Sequence, residues 1–281
     1  MSVGEGVPAV PDDLPLQGDH GLDDPIPHDR APLIEVRGIT KHFQGVAALN
    51  DVNVDIYPGE VLGLVGPNGA GKTTLVNAIT GYIPPDSGTV HLSGRDITGA
   101  RMDQAARLGI TRTFQQLRLL ERSSALENVL LGRHQRFKTG PLTLFSGTRR
   151  REEREQRVVA RELLGELGLG GITDTIVAGL PYGTRRRVEI ARALAAEPHA
   201  LLLDEPTAGM TPGDANDIGE LIQLTARRGV AVVLIEHNVG LVTKLSDRIA
   251  VLNWGEIIKV DRPDAVWQDD AVRAAYIGVA R

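Results

Sequence analysis

The sequence predicts an α/β fold whose parallel sheet is interrupted by a long helical insertion and accompanied by a small β-rich region. A glycine-rich loop lies between the apolar run Val61 to Val65 and a helix-like run, an order typical of a strand-loop-helix unit. Two further strand-sized apolar runs, Ala200 to Leu203 and Val230 to Ile235, follow later in the chain. Residues from about Asp103 to Ala195 are mainly of helical type. Buried strands that alternate with helices indicate a parallel sheet.

The order of the elements follows from apolar runs and turn residues. The turn residues Pro84 to Gly88 predict a bend into a strand. The mixed-charge run Arg149 to Arg161 predicts a solvated helix face rather than a nucleic-acid patch, because acids are interleaved with the arginines. The other predicted elements are strands around Ile34 to Ile39 and Val52 to Ile56 joined by a loop with Phe43 and Gly45, a helix over Thr74 to Thr80, a strand over Thr89 to Leu92, and helices over Arg185 to Leu194 and Asp217 to Arg227.

Composition bounds the possible chemistry. The chain has 281 residues, of which 42% are hydrophobic, so it can bury a substantial core in one large or two modest domains. Because the chain has no cysteine, disulfides, thiol catalysis and cysteine-bound zinc are excluded, and a reducing compartment is natural. Phosphates, carboxylates and histidine remain as the groups on which its chemistry depends.

The net charge of −5 is unevenly distributed. Residues 1–32 hold seven acids and one base, which leaves 30 bases and 29 acids in the rest of the chain. A nearly neutral body predicts no nucleic-acid partner. Residues 1–32, rich in proline and glycine, are predicted to form a disordered acidic tail that lacks the features of a secretory signal, and 33–281 to form the folded domain. No apolar run approaches the ~18 to 20 residues that cross a bilayer, so a membrane role would depend on a partner.

The strongest functional signal is the segment Gly66-Pro67-Asn68-Gly69-Ala70-Gly71-Lys72-Thr73-Thr74. Its position after a strand and before a helix is the context in which GxxxxGK[ST] binds nucleotide phosphates. The glycines let backbone N–H groups converge on the β-phosphate, Lys72 supplies charge to the β- and γ-phosphates, and the Thr73 hydroxyl can ligate Mg²⁺. The motif occurs once, so the chain is predicted to bind ATP or GTP in a single nucleotide-binding unit.

Two predicted strand ends carry further candidates. Asp204 and Glu205 follow an apolar strand, where a parallel α/β sheet places its ligands. Asp204 is predicted to hold Mg²⁺, and Glu205 to orient and deprotonate a water that attacks the γ-phosphate. The alternative is an acid pair that caps the next helix. His237, at the end of the next strand, could contact the γ-phosphate or the water, although a structural histidine is the other interpretation.

Taken together and in order, these motifs resemble the ATP-binding cassette of ABC transporters over residues 33–281. The resemblance places Gln115, in Arg112-Thr113-Phe114-Gln115, in the Q-loop. It places Leu180-Pro181-Tyr182-Gly183-Thr184 in the signature and Ala208-Gly209-Met210 in the D-loop. It implies a P-loop NTPase (RecA-like) fold with a helical subdomain over about 117–194 and a small β subdomain.

The resemblance also implies roles for individual residues. Phe43 would stack on adenine, and Tyr182 with Gly183 would contact the γ-phosphate of an ATP bound to a partner cassette. The implied catalytic residues are Lys72, Gln115, Glu205 and His237. The implied metal ligands are Thr73, Gln115 and Asp204. The implied cofactors are ATP and Mg²⁺. The implied partners are a second cassette, in a homodimer or in a heterodimer with a sister subunit, transmembrane permease subunits and, indirectly, a substrate-binding protein. The implied location is the cytoplasmic face of the cell membrane.

The signature departs from the family pattern at two positions. Pro181 stands where serine is usual, which removes a hydroxyl donor, and Thr184 stands where glutamine is usual. Proline has no N–H to lose at a helix start, and its φ is already suitable there. We therefore expect the fold of the signature to survive and the γ-phosphate contact of this half-site to be altered.

Within the family, the chain is most similar to the ATPase subunits of branched-chain amino acid importers. The segments that carry this likeness are Gly109 to Gln115, Glu127 to Leu131, the insertion Gly132 to Arg157, Leu234 to Asn238 and the ending Ala274 to Gly278. The tract Arg185 to Arg192 also resembles lipopolysaccharide-export ATPases. An importer of urea or amides is also compatible with the sequence, because a cassette does not touch the cargo. An ABC ATPase that acts outside transport is less favoured.

Overall fold

The structure, a computed structural model, describes residues 31–113, 115–136 and 147–277. The predicted acidic tail lies outside the described residues, apart from its last two positions. Two β-sheets and the helices that pack on them form the described part of the chain.

The smaller sheet is antiparallel, with the strand order β2-β1-β4-β5. The predicted strands are too short, because β1 and β2 continue to a tight turn at Gln44-Gly45 with φ values of 49° and 85°. Left-handed backbone at both turn residues suits a two-residue hairpin. Phe43 is therefore the last residue of β1 and not part of a loop. The strands are β1 (Ile34–Phe43), β2 (Val46–Ile56), β4 (Ser87–Leu92) and β5 (Arg95–Asp96).

The larger sheet has the order β10-β9-β3-β8-β7-β6, and only its β10–β9 pair is antiparallel among the described strands. Every residue of β3, β7 and β8 is buried, because helices or the small sheet cover both faces. The strands are β3 (Val61–Val65), β6 (Ile110–Arg112), β7 (Ala200–Asp204), β8 (Ala231–Ile235), β9 (Arg248–Asn253) and β10 (Glu256–Asp261).

The predicted helices are present with earlier starts. The helix predicted from Asp217 begins at Pro212, because Thr211 caps it by accepting a hydrogen bond from the Asp214 N–H at 3.2 Å. Strand β6 interrupts the region predicted to be mainly helical; three residues are too few to show a period. The helices are α1 (Lys72–Ile79), α2 (Met102–Arg107), α3 (Ala125–Gly132), α4 (Gly147–Glu166), α5 (Tyr182–Leu194), α6 (Pro212–Arg227), α7 (Val239–Leu245), α8 (Pro263–Val266) and α9 (Asp270–Ile277).

The core divides at the larger sheet. On β7, Leu202 packs with the small sheet and α1, whereas Leu201 and Leu203 pack with α3 to α6. Alternate residues of a strand point to opposite faces, so one short strand serves both halves of the core. A third apolar cluster joins α8 and α9 to β9. None of the helices in the described ranges combines the length and apolar character needed to cross a bilayer.

A buried acid at the start of β3 makes stability depend on pH. Glu60 accepts a hydrogen bond from the Tyr57 N–H at 2.6 Å, and its Oε2 lies 3.2 Å from Arg248 Nη1. Burial raises the pKa of Glu60 to about 7 despite that cation. The folded protein therefore holds a proton on Glu60 that the unfolded chain releases at lower pH. This contribution to stability is present below the unfolded pKa and is lost as pH rises to about 7.

We expect Glu60→Gln to remove this pH dependence. Relative to the variant, the parent should lose up to about 1.4 kcal/mol of unfolding free energy per pH unit between pH 5 and 7. Urea unfolding of both proteins across this range measures the difference. Burial also raises the pKa of Asp247, which is present in both proteins and whose charge contributes to the raised pKa of Glu60. Parallel pH profiles for parent and variant would contradict the assignment.

Candidate functional site

The predicted phosphate loop connects β3 to α1 and packs against two strands. A Cβ on Gly66 would lie 2.0 Å from the Leu252 carbonyl oxygen, and one on Gly71 would lie 2.3 Å from the Ala48 carbonyl oxygen. Both glycines have positive φ, 151° and 106°. Only glycine allows this backbone and this approach, so β2 and β9 hold the loop in one conformation. The Thr73 side chain, on the first turn of α1, is exposed.

Lys72 is held by the loop itself. Its Nζ donates to the Gly66 carbonyl at 2.7 Å and to the Pro67 carbonyl at 3.0 Å. Burial lowers the pKa of Lys72, while the nearby Glu205 and Asp204 carboxylates act in the opposite direction. The ammonium group therefore interacts both with the loop and with the carboxylates at the end of β7. A phosphate bound in the loop would offer the ammonium group charged acceptors in place of neutral carbonyls.

Asp204 ends β7 and is paired with an arginine that was not predicted as a site residue. Arg112 Nη2 lies 2.8 Å from Asp204 Oδ2, and both side chains are buried. Arg112 Nη1 donates a hydrogen bond to the side-chain oxygen of Asn77 on α1. Arg112 lies in β6, which pairs with β7. Because β6 was not predicted, no sequence signal placed Arg112 beside Asp204.

Glu205 is the centre of the polar cluster. Its Oε1 lies 2.7 Å from His237 Nε2, and its Oε2 accepts a hydrogen bond from Gln115 Nε2 at 3.1 Å. The parallel register of β7 and β8 pairs Asp204 with Ile235, so the residues that follow the two strands are neighbours. Three candidate catalytic side chains, from segments far apart in sequence, therefore meet at one point.

Glu236, which precedes His237, is a supporting residue that was not predicted. Its buried carboxylate accepts hydrogen bonds from the Thr207 N–H at 2.8 Å and the Thr207 hydroxyl at 2.7 Å. These bonds fix the chain that leaves Glu205. The sequence showed Glu236 as a polar residue at the end of an apolar strand, but it did not identify Thr207 as its hydrogen-bond partner.

Phe43 is an exposed aromatic residue at the end of β1. Its side chain is 43% exposed, and Lys41 Nζ lies 5.8 Å from the ring centroid. Asp86 holds that lysine at 2.7 Å. The hairpin that carries Phe43 contacts the phosphate loop through Ala48, which lies two residues beyond Val46, the strand partner of Phe43. An aromatic ring of this kind can stack on a base.

The signature residues open helix α5. Pro181 is the N-cap of α5, with φ −55° and no side-chain cap, and Tyr182 is exposed in the first turn. A Cβ on Gly183 would lie 2.7 Å from Asp214 on α6. Among the residues that the structure describes, no hydrogen bond or ion pair joins Tyr182 or Gly183 to the phosphate loop. The turn is part of helix α5, which begins three residues earlier than predicted.

The donor set fits a magnesium ion bound together with phosphates. The Thr73 hydroxyl, the Gln115 amide oxygen and the Asp204 carboxylate are all oxygen ligands, which Mg²⁺ prefers. Within the described residues, no cluster of three or more histidines and acids forms a cage for a metal. Mg²⁺ commonly binds through one or two carboxylates, substrate phosphates and water, so a cage is not required.

The fold and the site define a class of protein: a nucleotide-binding ATPase with a phosphate loop after the first strand of a parallel sheet. The model of the ABC transporter family matches residues 49–208. The chain belongs to the ABC transporter family, as an ATP-hydrolysing cassette. The resemblance inferred from the sequence and the predicted fold class are confirmed.

Relatives and solved structures support this membership along most of the chain. The chain is 40% identical over 255 residues to the high-affinity branched-chain amino acid transport ATP-binding protein LivG of Escherichia coli (strain K12). The aligned region covers 89% of this chain and 99% of that protein. It is 38% identical to the lipopolysaccharide export system ATP-binding protein LptB of Acidithiobacillus ferridurans, over 88% of this chain and 97% of that protein. The ADP conformation of the ABC transporter cassette MJ1267 superposes with a TM-score of 0.78 at 33% identity, covering 89% of this chain and 100% of that one.

Proposed function

We propose that this chain is the ATPase subunit of an importer for branched-chain or other hydrophobic amino acids. The contact of Gln115 and His237 with the Glu205 carboxylate is the observation that carries the catalytic part of the proposal. The similarity to LivG supports the cargo class. The chain would act at the cytoplasmic face of the membrane through separate permease subunits. The lipopolysaccharide-export alternative has the less similar relative, LptB.

ATP binding would begin at the two ends of the site. Phe43 offers its exposed face to the adenine ring, and the phosphate loop offers N–H groups at the start of α1 to the phosphates. Lys72 would exchange the Gly66 and Pro67 carbonyls for phosphate oxygens. Thr73, Gln115 and Asp204 would hold Mg²⁺, which neutralises charge on the phosphates when bound.

Hydrolysis would depend on the Glu205 carboxylate. It would orient a water for in-line attack on the γ-phosphorus and accept a proton as the new P–O bond forms and the bond to the leaving ADP breaks. His237, at 2.7 Å, holds one oxygen of this carboxylate. Gln115 holds the other oxygen and would sense the metal and the γ-phosphate. ATP and ADP would therefore place the Gln115 segment differently.

The site would be completed by a second cassette. Tyr182 and Gly183 open α5, a helix start that can bind a phosphate, yet among the described residues no hydrogen bond joins them to this chain's own phosphate loop. In a head-to-tail dimer, each signature turn would face the partner's nucleotide. A solved relative, the cassette MJ0796, is a dimer bound to ADP and Pi, with a TM-score of 0.66 at 28% identity over 82% of this chain and 98% of that one.

A groove on the helical region (α3 to α5) would receive the permease. Its cavity measures about 330 Å³ and includes two exposed leucines, Leu120 (54%) and Leu131 (47%). The backbone leading from Gln115 reaches Leu120 within five residues, so the groove adjoins the segment that senses the nucleotide. The full lining is Leu120, Ser123, Glu127, Leu130, Leu131, His134 and Glu153.

We expect Leu131→Asp to weaken permease binding. The charge would have to be desolvated against an apolar partner, at a cost of several kcal/mol, so co-purified permease and ATP-driven uptake should fall about 10-fold or more. Val158→Asp, which changes an exposed aliphatic residue of α4 outside this groove, is the matched control. Equal effects of the two substitutions would contradict the docking site.

The cargo is tested by reconstitution. The chain, its neighbouring permeases and the cognate binding protein are placed in liposomes loaded with ATP, and uptake of labelled leucine, urea and acetamide is compared. Leucine uptake that requires Glu205 supports the proposal. Uptake of urea or acetamide alone would establish the related amide importer, and pull-down of nucleic acid in place of permeases would establish an ABC ATPase outside transport.

A further inference from the structure

The signature helix α5 carries a fully buried arginine. The Arg186 side chain is 0% exposed and lies four residues after the exposed Tyr182. A buried guanidinium is costly unless each part of it is paired. Its charge is balanced by Glu189 on the same helix, with Nη1 2.6 Å from Oε2. This ion pair alone would make Arg186 a structural residue of α5.

The remaining donors of Arg186 reach two catalytic segments. Nη2 donates to the Gln115 carbonyl and to the Glu205 carbonyl, both at 3.2 Å. Nε donates to the Pro206 carbonyl at 3.2 Å. One planar side chain therefore joins α5, the backbone of Gln115 and the backbone that follows β7. These are the backbones from which two of the three clustered catalytic side chains project.

Two other side chains of α5 strengthen the link to the Gln115 segment. Glu189 Oε1 accepts a hydrogen bond from the Arg118 N–H at 3.1 Å, and Arg192 donates to the Arg118 carbonyl. The three α5 residues are spaced three apart, so they lie along one side of the helix. Residues 115 and 118 are thus both held by α5, and the segment between them cannot shift alone without breaking these bonds.

The backbone of Glu205 needs such support. Its φ is 48°, a left-handed conformation that is unfavourable for a residue with a Cβ. Conformations of this kind persist where the surroundings impose them. The Glu205 N–H is held by the Ile235 carbonyl at 2.9 Å, and the Glu205 carbonyl is held by Arg186. Removing Arg186 leaves one side of this strained residue without its charged donor.

We propose that Arg186 is a positioning residue that fixes the backbones of Gln115 and Glu205 against the signature helix α5. The inference rests on the proposed composite site. In that composite site, Tyr182 would contact the nucleotide bound to the partner cassette, whereas Gln115 and Glu205 would act on the nucleotide bound to this chain. Arg186 joins α5 to both of these catalytic segments through a single side chain.

The geometry requires arginine specifically. The fork of the guanidinium reaches acceptors in three directions within one plane, whereas an ammonium group is a point charge with three donors. Arg186→Lys would keep the charge opposite Glu189 and lose bonds to the backbone carbonyls. The lysine variant therefore separates neutralisation of Glu189 from the positioning of Glu205.

The test compares Arg186→Gln and Arg186→Lys with Arg133→Gln in the full chain. Arg133 is also a buried arginine of the helical region, and it bonds the Ala195 carbonyl at 3.2 Å and Glu197 at 2.9 Å. It contacts neither Gln115 nor Glu205 in these bonds. For each variant, we would measure the free energy of unfolding, the Kd for MgATP, kcat, and hydrogen exchange over residues 115–118 and 205–207.

For both Arg186 variants we expect kcat to fall about 100-fold, because small displacements of a catalytic group have effects of this size. The Kd for MgATP should change less than about threefold, since the phosphate loop is untouched, and hydrogen exchange in both segments should rise. Arg133→Gln should keep kcat even where it lowers stability. If Arg186→Gln does not fold, the lysine variant gives the same comparison.

A kcat equal to that of the parent in an Arg186 variant would overturn the proposal. It would also be overturned if kcat fell in all three variants in proportion to their loss of unfolding free energy. Full activity in Arg186→Lys would show that Arg186 acts by neutralising the charge of Glu189 and not by positioning the catalytic segments. A parent chain without ATPase activity would defeat the proposed function instead. In that case, hydrogen exchange still decides this inference, because unchanged exchange in both segments overturns it.

Discussion

Glu205→Gln is expected to stop ATP turnover while MgATP remains bound, and to trap two cassettes as a closed dimer. The amide has nearly the same shape but cannot accept the proton of the attacking water. Loss of a general base lowers rates about 10²- to 10⁴-fold. The variant also removes a negative charge that acts on Lys72, which favours retention of the γ-phosphate. Steady-state phosphate release and size-exclusion chromatography with ATP measure the two effects.

The control for this prediction is Glu166→Gln. Glu166 lies at the end of α4, is more than half exposed and pairs with Arg228 on the surface. The same chemical change made there should leave turnover and dimerisation as in the parent. If Glu205→Gln hydrolyses ATP at the parent rate in the assembled transporter, Glu205 is not the base, and the cluster with Gln115 and His237 serves another purpose.

Lys72→Ala should have the second largest effect, on binding rather than on the chemical step alone. Lys72 contacts the phosphate loop through the Gly66 and Pro67 carbonyls. A hydrogen bond to a charged group contributes about 1.5–3 kcal/mol, so loss of the phosphate contacts should weaken ATP binding about 100-fold. Isothermal titration with MgATP measures this change.

The matched control is Lys244→Ala, which removes an exposed lysine from α7. It should bind MgATP with the parent affinity. Because α1 and the loop are held by β2 and β9, Lys72→Ala should fold normally, and circular dichroism checks this. A folded Lys72→Ala protein with the parent affinity for ATP would show that nucleotide binds elsewhere.

The phosphate loop, the strand ends and the family could be predicted from the sequence because their signals are local. Residues 66–74 are contiguous, and their glycines, lysine and threonines have meaning at fixed spacing. Asp204, Glu205 and His237 were found because each follows an apolar strand, and parallel strands bring their carboxyl ends to one edge. Buried strands and phosphate binding both restrict residue type, so the sequence by itself determined the fold class and the principal candidates.

Only the tertiary structure decided how these residues are held. Arg112, Arg186 and Glu236 are separated from their partners by 19 to 92 residues, and several of those partners are backbone groups. Backbone carbonyls and N–H groups are the same at every position, so no sequence pattern marks which of them an arginine or glutamate will meet. The individual residues of the polar cluster could be predicted from local motifs, whereas the supports that hold them depend on how strands and helices from distant parts of the chain come together.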